Sequence, residues 1–399
     1  MIKPITTQKL SFDILDSIRG IAALYVVIAH CRGCLWLGGN EFLQMHPRST
    51  WGIGDYMMFG TSMLTRLAVE FVIVFFVLSG FSIAHSLSSN HSPLQFYKRR
   101  LIRIYPSYIT ALIWAGVVFV VTRAWHPEWY DGSINQFAFI RTVEMNNYFD
   151  WQVIVKNLFY MPSHGFITPF WSLTYEVMFY LMAPYLLRNV NAYVLISAIL
   201  FLFGFFGQSL IGSLHLPVYI SDYLFTYNVY FAVGVFLYHH YQRISEWFTN
   251  YTKFEFTLIF IGLLGLMYGG NLYLQIENSF TFIAAAMLSV VLIVFFLKFN
   301  IRFKPLMGIG KFSYTMYITH FASVYLYLGI YWLIFKPKLI YITNFFVWIP
   351  AIFFCVGIAY LQYFLVEKRT KSILNLLRSK SVTQKNKKAA EVVPTSGLA

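Results

Sequence analysis

The chain has 399 residues, of which 58% are hydrophobic, 20% are aromatic and only 12% are charged. Soluble globular proteins contain about 25% charged and about 45–50% apolar residues, so the composition excludes a soluble protein and indicates one that crosses a membrane many times. The formal net charge of +14 could suggest a nucleic-acid-binding protein. We expect no nucleic-acid partner, because most Lys and Arg residues fall on one side of the predicted membrane, as the positive-inside rule requires.

About ten segments are long and apolar enough to cross a bilayer, whose hydrocarbon core takes roughly 20 helical residues. With the N-terminus in the cytoplasm the basic loops lie inside, and an even number of spans places both termini there. The predicted fold class is therefore all-α, a polytopic transmembrane helix bundle of about ten spans. The predicted spans are 12–33, 63–87, 103–124, 170–187, 191–212, 221–240, 254–270, 279–298, 312–334 and 342–365.

Three parts are predicted along the chain: a cytoplasmic N-terminus at 1–9, a membrane domain at 10–372, and a disordered, basic cytoplasmic tail at 373–399. The polar N-terminus lacks the pattern of a cleavable signal peptide, so we expect the first apolar segment to remain as a helix. The sequence shows no internal repeat and no fused soluble domain. Any chemistry is therefore expected within the membrane domain.

The first span carries two ionisable residues, Arg19 and His30, in the otherwise apolar stretch SIRGIAALYVVIAHCRG. An ionisable side chain inside a span costs at least a few kcal/mol and by default indicates a functional site. Eleven positions are just over three helical turns, so the two side chains share one face within about 20° and lie about 16 Å apart along the axis. This favours a polar path across the membrane. The alternative is that Arg19 reaches the inner interface and His30 bonds a neighbouring carbonyl.

The motif KRRLIRIYP, at 98–106, is predicted in the cytoplasmic loop before the third span. Arg100 and Arg103 would fall on one side of a helix beginning there. Guanidinium groups bind phosphate through paired hydrogen bonds, so this spacing favours a phosphate site over a simple positive-inside anchor. The small pair Ser79–Gly80, further upstream, is interpreted as structural, suited to close helix packing or a local bend.

Two later spans open with polar residues on one helix face. Ser172 and Glu176 are four positions apart at the start of the fourth span, and we expect the carboxylate to have the first-span arginine or a histidine as its partner. Ser313, Tyr317 and His320 follow one another at spacings of four and three in the ninth span. A lone histidine on an apolar helix is more often structural than catalytic, but two of them with an arginine and a glutamate favour a site.

Three cysteines are too few for a disulfide framework. Cys31 and Cys34 form a CxxC pair, for which a redox role and two ordinary thiols both stay open. We predict no metal site, because zinc would need more nitrogen or sulfur ligands nearby. The two long outer loops, 34–61 and 125–169, are rich in aromatic residues, which could form an interfacial belt or a lip on which carbohydrate stacks.

Six motifs in this order resemble acyltransferase family 3, the integral membrane O-acyltransferases that modify bacterial surface and secreted glycans. Each is weak alone, but together they span residues 10–370. Two departures occur: Ile73 and Val74 stand where relatives often carry an acidic residue, and Arg369 stands where a proline usually follows the final EK. The motifs are the RG opening with Arg19 and His30, FFVLSGF at 75–81, RRLIRIYP at 99–106, WSLTYEVMFY at 171–180, GKFSYTMYITH at 310–320 and VEK at 366–368.

The resemblance implies a stand-alone O-acyltransferase in the bacterial inner membrane. It would transfer an acyl group, most often acetyl, from cytoplasmic acyl-CoA to a hydroxyl of a glycan or glycolipid on the periplasmic side, such as O-antigen, capsule or exopolysaccharide. Acetyl-CoA is the expected co-substrate. Arg100 and Arg103 would bind its phosphates, and Arg19 would hold the pantetheine or pyrophosphate end or orient a carboxylate.

The same resemblance suggests the chemical roles. His30 would act as the general base on the acceptor hydroxyl or carry the acyl group transiently. Glu176 would orient His30 or compensate the first-span arginine, and His320 is a second candidate base. Tyr317 or Ser313 would donate to the developing oxyanion, and Ser172 would support the site.

A transporter or flippase of a glycan or lipid-linked precursor is the main alternative, since intramembrane Arg, Glu and His also serve proton and substrate sites. Transporters often show internal repeats, and this sequence shows none. The acceptor, the acyl chain size and the oligomeric state are not fixed by the sequence.

Overall fold

The fold is given by a computed structural model. It describes residues 13–36, 42–44, 46–88, 92–130, 149–161, 167–270, 279–336, 345–370 and 372. All regular structure within these ranges is helical, which confirms the predicted all-α class. Two helices end in a π-helical turn, at Tyr223–Tyr227 and at Tyr363–Glu367.

The helices are numbered here in chain order. They are α1 Asp13–Leu35, α2 Ile53–Leu64, α3 Ala68–Ser88, α4 Pro93–Trp125, α5 Trp151–Leu158, α6 Trp171–Leu186, α7 Val190–Phe206, α8 Gln208–Ser213, α9 Val218–Asp222, α10 Asn228–Trp247, α11 Lys253–Gly269, α12 Ser279–Lys298, α13 Lys304–Gly310, α14 Ser313–Phe335 and α15 Trp348–Gln362.

Seven helical stretches of the described chain are long and apolar enough to cross a membrane, so this is a multi-pass membrane protein. The other three predicted spans coincide with α6, α7 and α11, which have 16, 17 and 17 residues. Each predicted span thus overlaps a helix. The number of ten and the cytoplasmic termini stay predictions.

The arginine motif lies inside a helix, not in a loop as predicted. Helix α4 begins at Pro93, ten residues before the predicted start of the third span. The Ser92 hydroxyl caps it by accepting from the Gln95 amide at 3.5 Å, and proline suits the first helical position because its missing N–H has no partner there. Arg100 and Arg103 are therefore held one turn apart on a formed helix.

Glycines set the closest helix contacts. A Cβ atom built on Gly80 would collide with the carbonyl of Phe231, and one on Gly234 with the carbonyl of Val77, so α3 and α10 pack backbone to backbone. The interpretation of Ser79–Gly80 as a close contact is thus correct for the glycine. Gly310 is packed in the same way against Asp16, which fixes α13 along α1.

Helix α14 lies at the centre of the part of the bundle that carries the predicted site. It packs against α1, α4 and α15, and α1 in turn packs against α3. Contacts along α14 are also polar: the Trp114 indole donates to the Ser323 hydroxyl at 3.1 Å, and the Tyr314 hydroxyl donates to the carbonyl of Ile104 at 3.2 Å. The two predicted histidine-bearing helices are therefore neighbours.

Candidate active site

A cavity of about 110 Å³ lies between α1, α3, α4, α6 and α14. The charged residues that line it are three arginines and one glutamate. Seven of the nine residues singled out from the sequence line it, although they come from four separate motifs. These seven are Arg19, Arg100, Arg103, Ser172, Glu176, Ser313 and Tyr317.

Arg19 is held in place by two partners. Its guanidinium donates to the Asp16 carboxylate at 2.9 Å and to the Ser82 hydroxyl at 2.6 Å. The sequence pointed to Glu176 as one possible counter-charge, whereas the ion pair joins Arg19 to Asp16, three positions earlier on the same helix. That i, i+3 spacing is visible in the sequence and could have indicated the pair.

Arg100 has no ion pair with any described residue. Its guanidinium instead lies over the rings of Tyr180 and Phe96, with centroid distances of 5.1 and 5.5 Å. Arg103, one turn further along α4, is exposed and lines the same cavity. Both arginines therefore keep their hydrogen-bond donors available for an anionic ligand.

Glu176 is held by hydroxyl groups. The Tyr180 hydroxyl donates to one carboxylate oxygen, and the Ser79 hydroxyl donates to the same oxygen at 3.3 Å. Because Tyr180 also underlies Arg100, its ring joins the glutamate to that arginine within one wall of the cavity. Neither Ser79 nor Tyr180 was predicted as a site residue. The largely apolar motif FVLSGF gives little sign that its serine contacts a carboxylate.

Tyr317 forms the wall at one end of the cavity. Its hydroxyl donates to the carbonyl of Pro169 at 2.8 Å and lies 2.7 Å from the hydroxyl of Ser172. The ring of Phe75 meets it edge-on at 5.9 Å. Ser313 is one turn away, and its hydroxyl is already bonded to the carbonyl of Gly310 at 2.9 Å.

The two predicted histidines meet outside this cavity. His320 is fully buried, and its Nε2 lies 3.1 Å from His30 Nδ1. His320 Nδ1 lies 2.7 Å from the carbonyl of Tyr317 and 3.2 Å from that of Met316. A carbonyl only accepts hydrogen bonds, so this nitrogen carries the proton and Nε2 is the acceptor.

The tautomer of the second histidine follows from the first. Since His320 Nε2 accepts, His30 Nδ1 must donate, which leaves His30 Nε2 with a lone pair. The edge of Phe321 packs against the His30 ring, with centroids 5.3 Å apart. The pair thus presents one basic nitrogen with a fixed orientation.

Tyr317 stands between the cavity and the histidines. It lines the cavity, while its ring centroid is 5.8 Å from that of His320, one helical turn away on α14. Arg19 also lines the cavity, and His30 is eleven residues further along α1, about 16 Å in an α-helix. The arginines and the histidine pair are therefore adjacent sites with one side chain as their common wall.

The cysteines are free thiols. The sulfur atom of Cys31 lies 3.9 Å from that of Cys355 on α15. The described residues contain no group of three or more His, Cys, Asp or Glu side chains that could hold a metal ion. Most of the aromatic outer loop at 131–148 and 162–166, and the tail from 373, lie outside the described residues.

Residues 12–364 match the family model described as an acyltransferase domain, which covers nearly the whole chain. The chain belongs to the acyltransferase 3 family. The resemblance read from the six motifs is thereby confirmed, and membership of the acyltransferase 3 family supports the predicted enzyme class.

Two relatives match parts of this family member. Acyltransferase MdmB of Streptomyces mycarofaciens is 33% identical over 169 residues, which are 40% of this chain and 39% of the relative. Protein 2 in the picA locus of Rhizobium radiobacter is 32% identical over 114 residues, 27% of this chain and 46% of the relative. The chain therefore matches less than half of each relative's length. No solved structure matches it.

Proposed function

We propose that this protein is an O-acyltransferase of the bacterial inner membrane that moves an acyl group, acetyl in the simplest case, from cytoplasmic acyl-CoA to a hydroxyl of a surface or secreted glycan or glycolipid. The observation that carries the proposal is the cavity with two arginines that form no ion pair with a described residue, set one side chain away from a histidine pair. Family membership favours this function over the transporter alternative.

Arg100 and Arg103 are proposed to bind the phosphates of coenzyme A. Neither forms an ion pair with a described residue, although Glu176 lines the same cavity, and arginine binds phosphate through two parallel hydrogen bonds. Arg19 already has an anionic partner in Asp16. It is therefore suited to hold a neutral or weakly polar part of the donor, such as an amide or thioester carbonyl.

The acyl group is proposed to lie at the end of the cavity that Tyr317 and Ser172 form. Tyr317 and Ser172 place hydroxyl groups at this end of the cavity, and one of them would have to give up its present hydrogen bond in order to polarise an acyl carbonyl.

His30 is proposed as the general base. Its Nε2 lone pair would take the proton of the acceptor hydroxyl as the hydroxyl oxygen bonds to the acyl carbon. The carbon–sulfur bond of the thioester then breaks, and coenzyme A leaves as a thiol after its sulfur takes that proton from His30. His320 accepts the hydrogen bond from His30 Nδ1 and would steady the positive charge that develops on that ring. Glu176, bonded to hydroxyl groups, would balance the arginines of the cavity rather than orient the base.

Inverted membrane vesicles carrying the protein, supplied with acetyl-CoA labelled in the acetyl group, test this function. We expect label in a glycan or glycolipid fraction, and its loss in His30→Ala. His239→Ala, which changes an exposed histidine of α10, is the matched control and should transfer normally. Equal transfer by His30→Ala would remove His30 as the base, and absence of both transfer and coenzyme A binding in the unchanged protein would overturn the function.

A further inference from the structure

A second, chemically different cavity lies on the other side of α4. It is a groove of about 530 Å³ between α4 and α5, within the range of roughly 300–1,000 Å³ typical of ligand sites. Along α4 it runs from Ile109 to Val121, which are twelve positions or about 18 Å apart in an α-helix. Apart from Gly116 and Asn157, all of its lining is aliphatic or aromatic.

The short helix α5 forms the opposite wall, and both its C-terminal turn and the residues just before it contact α4. The Tyr108 hydroxyl donates to the carbonyl of Asn157 at 2.6 Å, and the ring of Phe149 packs on Phe119 with centroids 5.5 Å apart. The groove is therefore a formed feature of two packed elements and not a gap between loose ones.

The groove opens sideways. Ile113, Val117 and Val120 line it and are 61%, 47% and 54% exposed, on a helix long and apolar enough to span the membrane. Exposed aliphatic side chains on a span face the hydrocarbon of the bilayer. A ligand can therefore enter from the membrane without first crossing water.

Asn157 is the exception in this lining. It is only 3% exposed, and its side-chain oxygen has no hydrogen-bond partner among the residues that the structure describes. A buried amide oxygen left unpaired is unfavourable, and native structures rarely contain one without a reason. A ligand with a hydroxyl or N–H group at this end of the groove would satisfy it.

We propose that the groove binds an amphiphile from the bilayer, with its hydrocarbon chain along α4 and a hydroxyl or N–H donor on Asn157. Resting on the proposed function, we assign this amphiphile to the acceptor, which makes the acceptor a membrane-dissolved lipid or glycolipid. The location supports this: Tyr108 stacks on Tyr160 with centroids 3.9 Å apart and lies 5.4 Å from the ring of Phe170, which directly follows the proline bonded to Tyr317. These aromatic contacts therefore lead from Tyr108, which is bonded to Asn157, towards the residues that hold Tyr317.

Binding can be measured with a photoactivatable probe. The full-length protein in phosphatidylcholine vesicles is labelled with a sixteen-carbon alcohol bearing a diazirine, or with its methyl ether, which cannot donate a hydrogen bond. We expect the alcohol to label peptides of α4 and α5 about fivefold more than the ether, the size expected for one hydrogen bond. Asn157→Leu should reduce this preference to none while some labelling remains.

Two further variants separate the groove from general lipid contact. Val117→Trp fills the groove and should reduce labelling by both probes, whereas Ile199→Trp, at a residue of α7 that is 55% exposed, should not. Equal labelling by alcohol and ether, a preference that survives Asn157→Leu, or label spread evenly over α7 and α11 would overturn the site.

The acceptor assignment has its own readout. In the vesicle assay with labelled acetyl-CoA, Val117→Trp should lower label in the lipid-extractable fraction severalfold and leave thermal stabilisation by coenzyme A unchanged. Label found only in a water-soluble fraction would overturn the assignment. If coenzyme A stabilises the protein thermally but Val117→Trp does not change the lipid label, the groove is rejected and the proposed function stands. If coenzyme A has no effect on the unchanged protein, the proposed function itself is rejected.

Discussion

The cavity and the groove border the same helix and differ in almost every chemical respect. The cavity is lined by three arginines and a glutamate, and the groove by hydrocarbon with a single amide. Both use α4, whose first half carries Arg100 and Arg103 and whose second half carries the aliphatic lining. The difference indicates that one helix can serve a charged, water-soluble ligand at one end and a membrane-dissolved ligand at the other.

The largest expected effect separates the histidine pair from both ligand sites. His30→Ala should lower acetyl transfer by about 10²–10⁴-fold, the usual contribution of a general base. The thermal stabilisation by coenzyme A and the photolabelling of the groove should not change, since His30 lines neither the cavity nor the groove. Rates in vesicles, together with melting temperatures with and without coenzyme A, check this. A loss of coenzyme A stabilisation would show that the residue acts in donor binding instead.

His320→Ala should have a smaller effect, about 10–100-fold on the rate. The reason is that the base, His30, is still present but has lost the hydrogen-bond acceptor that fixes its tautomer. The pH profile of transfer provides the check, because its lower limb should move relative to the unchanged protein. An unchanged profile with the same loss of rate would point to a packing role for this fully buried residue.

Arg100→Gln should weaken the donor site alone. Hydrogen bonds to charged groups contribute about 1.5–3 kcal/mol, so we expect the KM for acetyl-CoA to rise by about 10–100-fold with little change in labelling of the groove. Arg188→Gln is the matched control, since this exposed arginine also lies over a tyrosine ring, that of Tyr185 at 5.2 Å. Equal effects of the two variants would contradict a phosphate site at Arg100.

Asp16→Asn is expected to give the smallest change. It removes the counter-charge of Arg19 but keeps a side chain of the same shape, and Ser82 still accepts from the guanidinium. We expect a severalfold rise either in the KM for acetyl-CoA or in the rate constant with which the protein hydrolyses acetyl-CoA by water. An unaltered enzyme would show that the ion pair, with both partners partly exposed, contributes little to the position of Arg19.

Much of the site was accessible from the sequence because helical spacing and membrane energetics both limit where polar residues occur. Arg19, Glu176 and Tyr317 were singled out as polar residues in apolar segments, and the fold brings them to one cavity. The partners were harder to predict. Which carboxylate meets Arg19, and which cysteine meets Cys31, depends on how distant helices pack.

The groove could not have been predicted in this way. Its lining reads as an ordinary span, and Asn157 stands in a long aromatic loop where an amide carries no signal. Only the packing of α5 on α4 shows that the amide is buried and that its oxygen is unpaired. The start of α4 was likewise misplaced, because the cap at Ser92 outweighs the polarity of the arginine motif.

The wall formed by Tyr317, Ser172 and Pro169 has a consequence for the cell that houses the protein. A water-filled path from the arginines to the histidines would conduct protons and dissipate the gradient across the membrane. The phenol ring of Tyr317 and its two hydrogen bonds interrupt that path, and this one side chain is all that separates the two sites. Substituting Tyr317 by a small residue would therefore be expected to cost the cell energy as well as catalysis.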